Sequence, residues 1–108
     1  MEVHRQLGHG FLEIVYKDAL EIELSNDQIN YHREKEYGII YKQIILPHNF
    51  YADFVIDNEI ILEVKAAEGA ITDTYIAQTI NYLKASGCKV GLIVNFGRKS
   101  LEYKRLIF

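Results

Sequence analysis

The sequence predicts an α/β fold in which helices flank a mixed central sheet, in the order α-β-β-β-β-α-β. Three observations predict it. Apolar residues recur three or four apart between positions 3 and 24, four β-rich segments follow between 29 and 65, and a second helical period over 71–86 precedes a short apolar run at 89–95. A helix between two strands supplies the crossover that a parallel pair requires, so the sheet is expected to mix parallel and antiparallel neighbours.

The first helical stripe is Val3, Leu7, Phe11, Val15, Ala19 and Ile22, and Gly8-His9-Gly10 interrupts it. Two glycines so close weaken a helix, so two helical pieces meeting near His9 are expected. After Ser25-Asn26-Asp27 come strands at 29–36, 39–46, 50–56 and 59–65, separated by Gly38, by Pro47-His48-Asn49 and by Asp57-Asn58, and read as an antiparallel meander. Asp57-Asn58 is a two-residue hairpin turn, because both residue types tolerate positive φ. Thr72 is the expected N-cap of the helix at 71–86 and Gly87 its stop. A last strand near 101–107 carries a weaker signal than the run at 89–95.

A chain of 108 residues with 49% hydrophobic and 25% charged residues fits one domain with its own core, so residues 1–108 are expected to form one unit. The single Cys88 cannot close an internal disulfide and reads as a small buried residue. No apolar run approaches the roughly 20 residues of a membrane helix, and no signal peptide is evident, which points to a cytoplasmic protein. The net charge of −3 excludes a protein that coats nucleic acid by charge alone. Positive charge gathers late, at Lys84, Lys89, Arg98, Lys99, Lys104 and Arg105, either as a face for a polyanion or as solvated side chains. His4, His9, His32 and His48 lack zinc-ligand spacing.

The chemistry is expected at Asp53, Glu63 and Lys65. Glu63 and Lys65 are two apart on one strand and share a face, and the Asp57-Asn58 hairpin lays Asp53 alongside. Two carboxylates with a backbone carbonyl, here that of Val64, are the oxygen donors that Mg²⁺ or Mn²⁺ prefers, and Lys65 beside them would serve an attacking water. The competing reading is a solvated cross-strand ion pair. Against it stands the apolar setting, Tyr51-Ala52-Asp53-Phe54-Val55-Ile56 and Ile60-Ile61-Leu62-Glu63-Val64-Lys65, in which charge needs a reason. Gln78 and Tyr82, four apart on the second long helix, form a polar face that either reaches a phosphate or sits at a surface rim. Glu13 and Tyr16 share a helix face, with Glu13 either completing the metal site or pairing with Lys17 at i+4.

These pieces in this order resemble the GxxExxY protein family, a group assigned to the PD-(D/E)XK nuclease superfamily. Gly10, Glu13 and Tyr16 carry the naming motif, Val3-His4-Arg5-Gln6-Leu7-Gly8 leads into it, and Asp53, Glu63-Val64-Lys65, Gln78-Thr-Ile-Asn-Tyr82-Leu-Lys and Val90-Gly-Leu-Ile-Val-Asn-Phe-Gly97 follow. The resemblance implies a restriction-endonuclease-like α/β sandwich. It implies a divalent metal on Asp53 and Glu63, Lys65 serving the water, a first-helix acid at Glu13, and a Gln-x-x-x-Tyr motif at Gln78 and Tyr82. Ala52 stands where the superfamily's name has proline, a position of shape and not of ligation. The activity implied is phosphodiester hydrolysis of nucleic acid, with DNA the expected substrate. A non-catalytic nucleic-acid-binding or protein-interaction module is the alternative, and a homo-oligomer a third possibility.

Overall fold

The computed structural model describes residues 1–108. Two helices open it, α1 (Glu2–Leu7) and α2 (Glu13–Asn26), followed by β1 (Tyr31–Tyr37), β2 (Ile40–Tyr41), β3 (Ile44–Ile45), β4 (Phe50–Ile56), β5 (Ile60–Lys65), α3 (Asp73–Ser86), β6 (Val90–Asn95) and β7 (Glu102–Ile107). Five strands form one sheet in the order β1-β4-β5-β6-β7. Only the β5–β6 pair is parallel, and α3 is its crossover.

The expected break in the first helix is real. Gly8 and Gly10 both have positive φ, at 66° and 109°, where a side chain would be strained. Tyr16 holds the bend. Its hydroxyl donates to the Gly8 carbonyl at 2.8 Å and accepts from Phe11 N–H at 3.3 Å, while its ring stacks on Phe96 at 4.7 Å. The residue is fully buried, so it parts from Glu13, which is exposed one turn earlier. A tyrosine suits this position because its body fills core while its tip satisfies two backbone groups.

The sheet corrects two expectations. Residues 39–46 do not form a strand of a meander: β1 pairs with β4 directly, and β2 and β3 form a small hairpin of their own. Its turn residues Lys42 and Gln43 both have positive φ, the primed turn that closes a two-residue hairpin. Ile40, Tyr41, Ile44 and Ile45 are consequently exposed, the apolar run having no core to enter. The weaker strand signal near 101–107, left out of the expected order, is realised as β7, which pairs antiparallel with β6 over its whole length. Asp57-Asn58 behaves as expected, with φ of 53° and 56°.

Alternation along the strands supplies two apolar faces. Phe54, Leu62, Val64 and Val94 turn toward Val3, Tyr16, Leu20 and Leu24 of the first two helices. On the other side Val55 and Ile61 meet Leu83 of α3 and Cys88. Thr72 accepts from Tyr75 N–H at the start of α3, and Gly87 ends it in the left-handed conformation. At roughly 25 cal/mol per Å², each fully buried Leu, Ile or Phe side chain contributes about 1.5–3 kcal/mol, so these two faces carry the fold. Among all helices none is long and apolar enough to cross a membrane.

Candidate metal centre

The β4–β5 ladder runs Ile56↔Ile60, Val55↔Ile61 and Phe54↔Leu62 and then stops. The next opposed pair is Asp53 and Glu63. There the strands part, and side chains replace the missing ladder bonds. Val64 N–H donates to Asp53 Oδ2 at 2.8 Å, and Asp53 N–H donates to Glu63 Oε2 at 3.2 Å. Each carboxylate thus caps a backbone donor left by the fork, and the two acids are fixed in mutual contact.

β1 opens at the same level. Its pairing with β4 skips the Glu34–Asp53 position, between Arg33↔Phe54 and Lys35↔Ala52, and Glu34 has φ of 54°. A glutamate in this region costs of order 1–3 kcal/mol unless surrounding contacts hold it. The contact is Lys17. From α2 its ammonium donates to Glu34 Oε1 and to Asp53 Oδ1, the latter at 2.9 Å. Lys17 is only 7% exposed. Burial works against its charge, but the hydrogen bonds it donates to Glu34 and Asp53 outweigh that and raise its pKa.

Glu63, only 4% exposed, responds in the opposite sense. Burial foremost, and then the Asp53 charge, push its carboxyl up to about 9, so near neutral pH it holds a proton. The fork therefore sets a protonated Glu63 against Asp53, whose other oxygen takes the Lys17 ammonium. Glu13 at the start of α2 joins this field. Although the residue is exposed, partial desolvation of its carboxyl foremost and then Asp53 raise its pKa, with Lys65 and Lys17 opposing.

The expected residues thus come together. Asp53, Glu63 and Val64 lie at the fork, Glu13 and Lys65 within their electrostatic reach, and Tyr82 beside them. Burial raises the Tyr82 pKa first, and the Glu63 and Asp53 charges raise it further, while a Gln78 hydrogen bond opposes. Lys65 makes no ion pair with either acid; its Nζ sits 4.7 Å above the Tyr75 ring. The simple cross-strand ion pair therefore does not form. Nor does Glu13 pair with Lys17, whose ammonium is taken by Asp53 and Glu34. Gln78 is exposed and touches Tyr82.

Three residues escaped sequence reasoning. Lys17 reads from sequence only as an i+4 partner for Glu13, and Glu34 lies without a role inside the expected strand at 29–36. Asn95, fully buried at the end of β6, shapes the segment that leaves Lys65: its Oδ1 accepts from Ala67 N–H at 2.9 Å and Gly97 N–H at 3.0 Å, and its Nδ2 donates to the Ala67 and Gly69 carbonyls. Gly97 makes this approach possible, because a Cβ there would overlap the Ala66–Ala67 backbone. An apolar stretch ending in a lone Asn was the only signal.

No three of the His, Cys, Asp and Glu side chains converge into a metal cage. The donor set at the fork is of another kind, two carboxylates beside a main-chain carbonyl, which leaves the remaining positions of a hard cation to water. A buried carboxyl set against a second acid at the fork fits such an ion.

A family model described as the PD-(D/E)XK nuclease superfamily matches residues 1–106. No curated protein matches the chain. Among solved structures, the crystal structure of SSO0001 superposes with a TM-score of 0.65 at 18% identity, over 86% of this chain and 48% of that one. The chain thus spans about half the length of that protein, and at this identity the likeness shows the fold alone. That fold, the forked Asp53/Glu63 strands with Lys65 and a match along almost the entire chain have one meaning: the chain belongs to the PD-(D/E)XK nuclease superfamily.

Proposed function

We propose that this domain is a metal-dependent nuclease that hydrolyses phosphodiester bonds, with DNA as its substrate and Mg²⁺ or Mn²⁺ as its ion. The observation that carries the proposal is the fork at which a half-buried Asp53 and a buried Glu63 meet, with Val64 between Glu63 and Lys65. Asp53, Glu63 and the Val64 carbonyl would hold the ion, with Glu13 adding an acid from α2. When bound, such an ion neutralises charge on the phosphate and lowers the pKa of water.

The chain's own groups do the rest. Glu63 gives up its proton when the site is loaded, so that both acids are anionic. Lys17 orients Asp53 by donating to its Oδ1. Lys65, held over Tyr75, orients the attacking water and donates to none of the acids, which leaves its ammonium for the substrate side. Gln78 and Tyr82 would contact the phosphate or the water from α3. Within the superfamily, Gly10, Glu13 and Tyr16 support placement in the GxxExxY group, and Tyr16 serves there as the clasp of the Gly8–Gly10 bend.

A second reading, a nuclease fold that binds nucleic acid or protein without cutting, is favoured by one observation: the Lys17 ammonium already neutralises Asp53 as a metal would. Cleavage of labelled single-stranded and duplex DNA in Mg²⁺ or Mn²⁺ separates the two. Wild type should cut and Lys65→Ala should not; equal behaviour of both with salt-sensitive, EDTA-indifferent binding selects the second reading.

A further inference from the structure

Beside the fork lies a cavity of about 650 Å³ that extends from Gln78 and Tyr82 to residues without a role so far. Its apolar side is Phe50 with Ile39 and Ile40, which lead into the β2–β3 hairpin; Phe50 stacks on Tyr82 at 4.3 Å and 5°. Facing this, α3 presents Gln78, Asn81 and Lys84. The size lies in the range of small-molecule sites, and an apolar body with a few convergent polar groups is their usual make-up.

The polar groups narrow the occupant. Gln78 and Asn81 carry primary amides, each both donor and acceptor, which suit the hydrogen-bonding edge of a base. Lys84 is cationic, and no Asp or Glu lines the cavity although the whole chain carries −3. An anion is therefore admitted here while the acids of the metal centre repel it elsewhere. Tyr82 belongs both to the cavity and to the surroundings of Asp53 and Glu63, so an occupant would adjoin whatever lies at the fork. Ile40 is 70% exposed, an apolar side chain left open on the hairpin that overhangs the space.

We propose that this cavity takes an unpaired nucleotide of single-stranded DNA next to the phosphate presented to Asp53 and Glu63, with its base against Ile39, Ile40 and Phe50, its edge on Gln78 and Asn81, and Lys84 on a neighbouring phosphate. This rests on the nuclease reading for the phosphate at the fork, but not for binding itself. A paired base inside a duplex has its hydrogen-bonding edge occupied and its faces stacked, so the domain prefers single strands, flaps or frayed ends over blunt duplex.

Fluorescence anisotropy in EDTA tests the pocket without requiring cleavage, using a labelled oligothymidylate and a blunt duplex of equal length with wild type, Asn81→Ala and Ile40→Ala. Both substitutions lie on exposed positions, and unchanged thermal unfolding shows that they fold. Wild type should bind the single strand roughly tenfold more tightly than the duplex, and each variant should lose several-fold of that preference, as expected for removal of base contacts. Photocrosslinking from 5-iodouracil in the oligonucleotide should map to Phe50 or Tyr82. Equal affinity for both DNAs, variants that bind single strands as wild type does, or an Ile40→Ala effect confined to self-association in sedimentation would overturn the proposal. Retained single-strand preference with no cleavage in Mn²⁺ would leave the pocket standing and remove the nuclease reading.

Discussion

Glu63→Gln should stabilise the metal-free protein, and increasingly so as pH rises. Glu63 titrates at about 4.5 in the unfolded chain and at about 9 in the fold. Between these values the folded state binds the extra proton, so unfolding becomes easier with each rise in pH; below about 4.5 the effect vanishes because both states are protonated. The slope is at most about 1.4 kcal/mol per pH unit, which over the three and a half units to pH 8 approaches roughly 5 kcal/mol. Glutamine is neutral in both states and its amide can donate to Asp53 as the protonated acid does. Urea unfolding in EDTA at pH 5, 6, 7 and 8 provides the comparison. The two proteins should be nearly equal at pH 5 and diverge toward pH 8, where even about 2 kcal/mol would raise Tm by roughly 10 °C. Parallel pH profiles would refute the reasoning, since they would mean that Glu63 is already ionised in the fold.

Other substitutions test the supporting structure. Lys17→Met should leave the Asp53 and Glu34 charges without their buried partner and lower stability by about 3–5 kcal/mol in chemical denaturation. Tyr16→Phe removes the hydroxyl between Gly8 and Phe11 and should cost about 1–2 kcal/mol, with amide exchange accelerated at Phe11. Asn95→Ala strips several backbone groups of their partner and should cost about 3 kcal/mol, with cleavage falling further than stability explains because the segment after Lys65 loosens. Gly97→Ala should be poorly folded, as its Cβ has no room against Ala67.

Much of the site was legible because strands obey a period of two. Asp57-Asn58 announced the hairpin, and the hairpin placed Asp53 opposite Glu63. What sequence could not show was the loss of that ladder at the fork, where side chains take over the backbone bonds. Lys17 was hidden for a related reason. At i+4 from Glu13 it has the spacing of a surface pair, and only the opening of β1 at Glu34 turns it inward. The segment at 39–46 misled through its apolar content: in a central strand Ile40, Tyr41, Ile44 and Ile45 would have been core, whereas in a projecting hairpin they are surface, shaped by the primed turn at Lys42-Gln43. Asn95 carries no motif at all, since a buried amide becomes informative only once the backbone it satisfies is known.

The central claim is that the Asp53–Glu63 fork binds a divalent ion for hydrolysis. It is tested most directly by Mn²⁺ titration calorimetry and DNA cleavage on the same preparations of wild type and the Glu63→Ala, Lys65→Ala double variant. Wild type should bind the ion with release of close to one proton at pH 8, the one that Glu63 holds, and should cut DNA, while the double variant does neither. Cleavage by the double variant equal to that of wild type, or wild type that takes up no Mn²⁺, would contradict it.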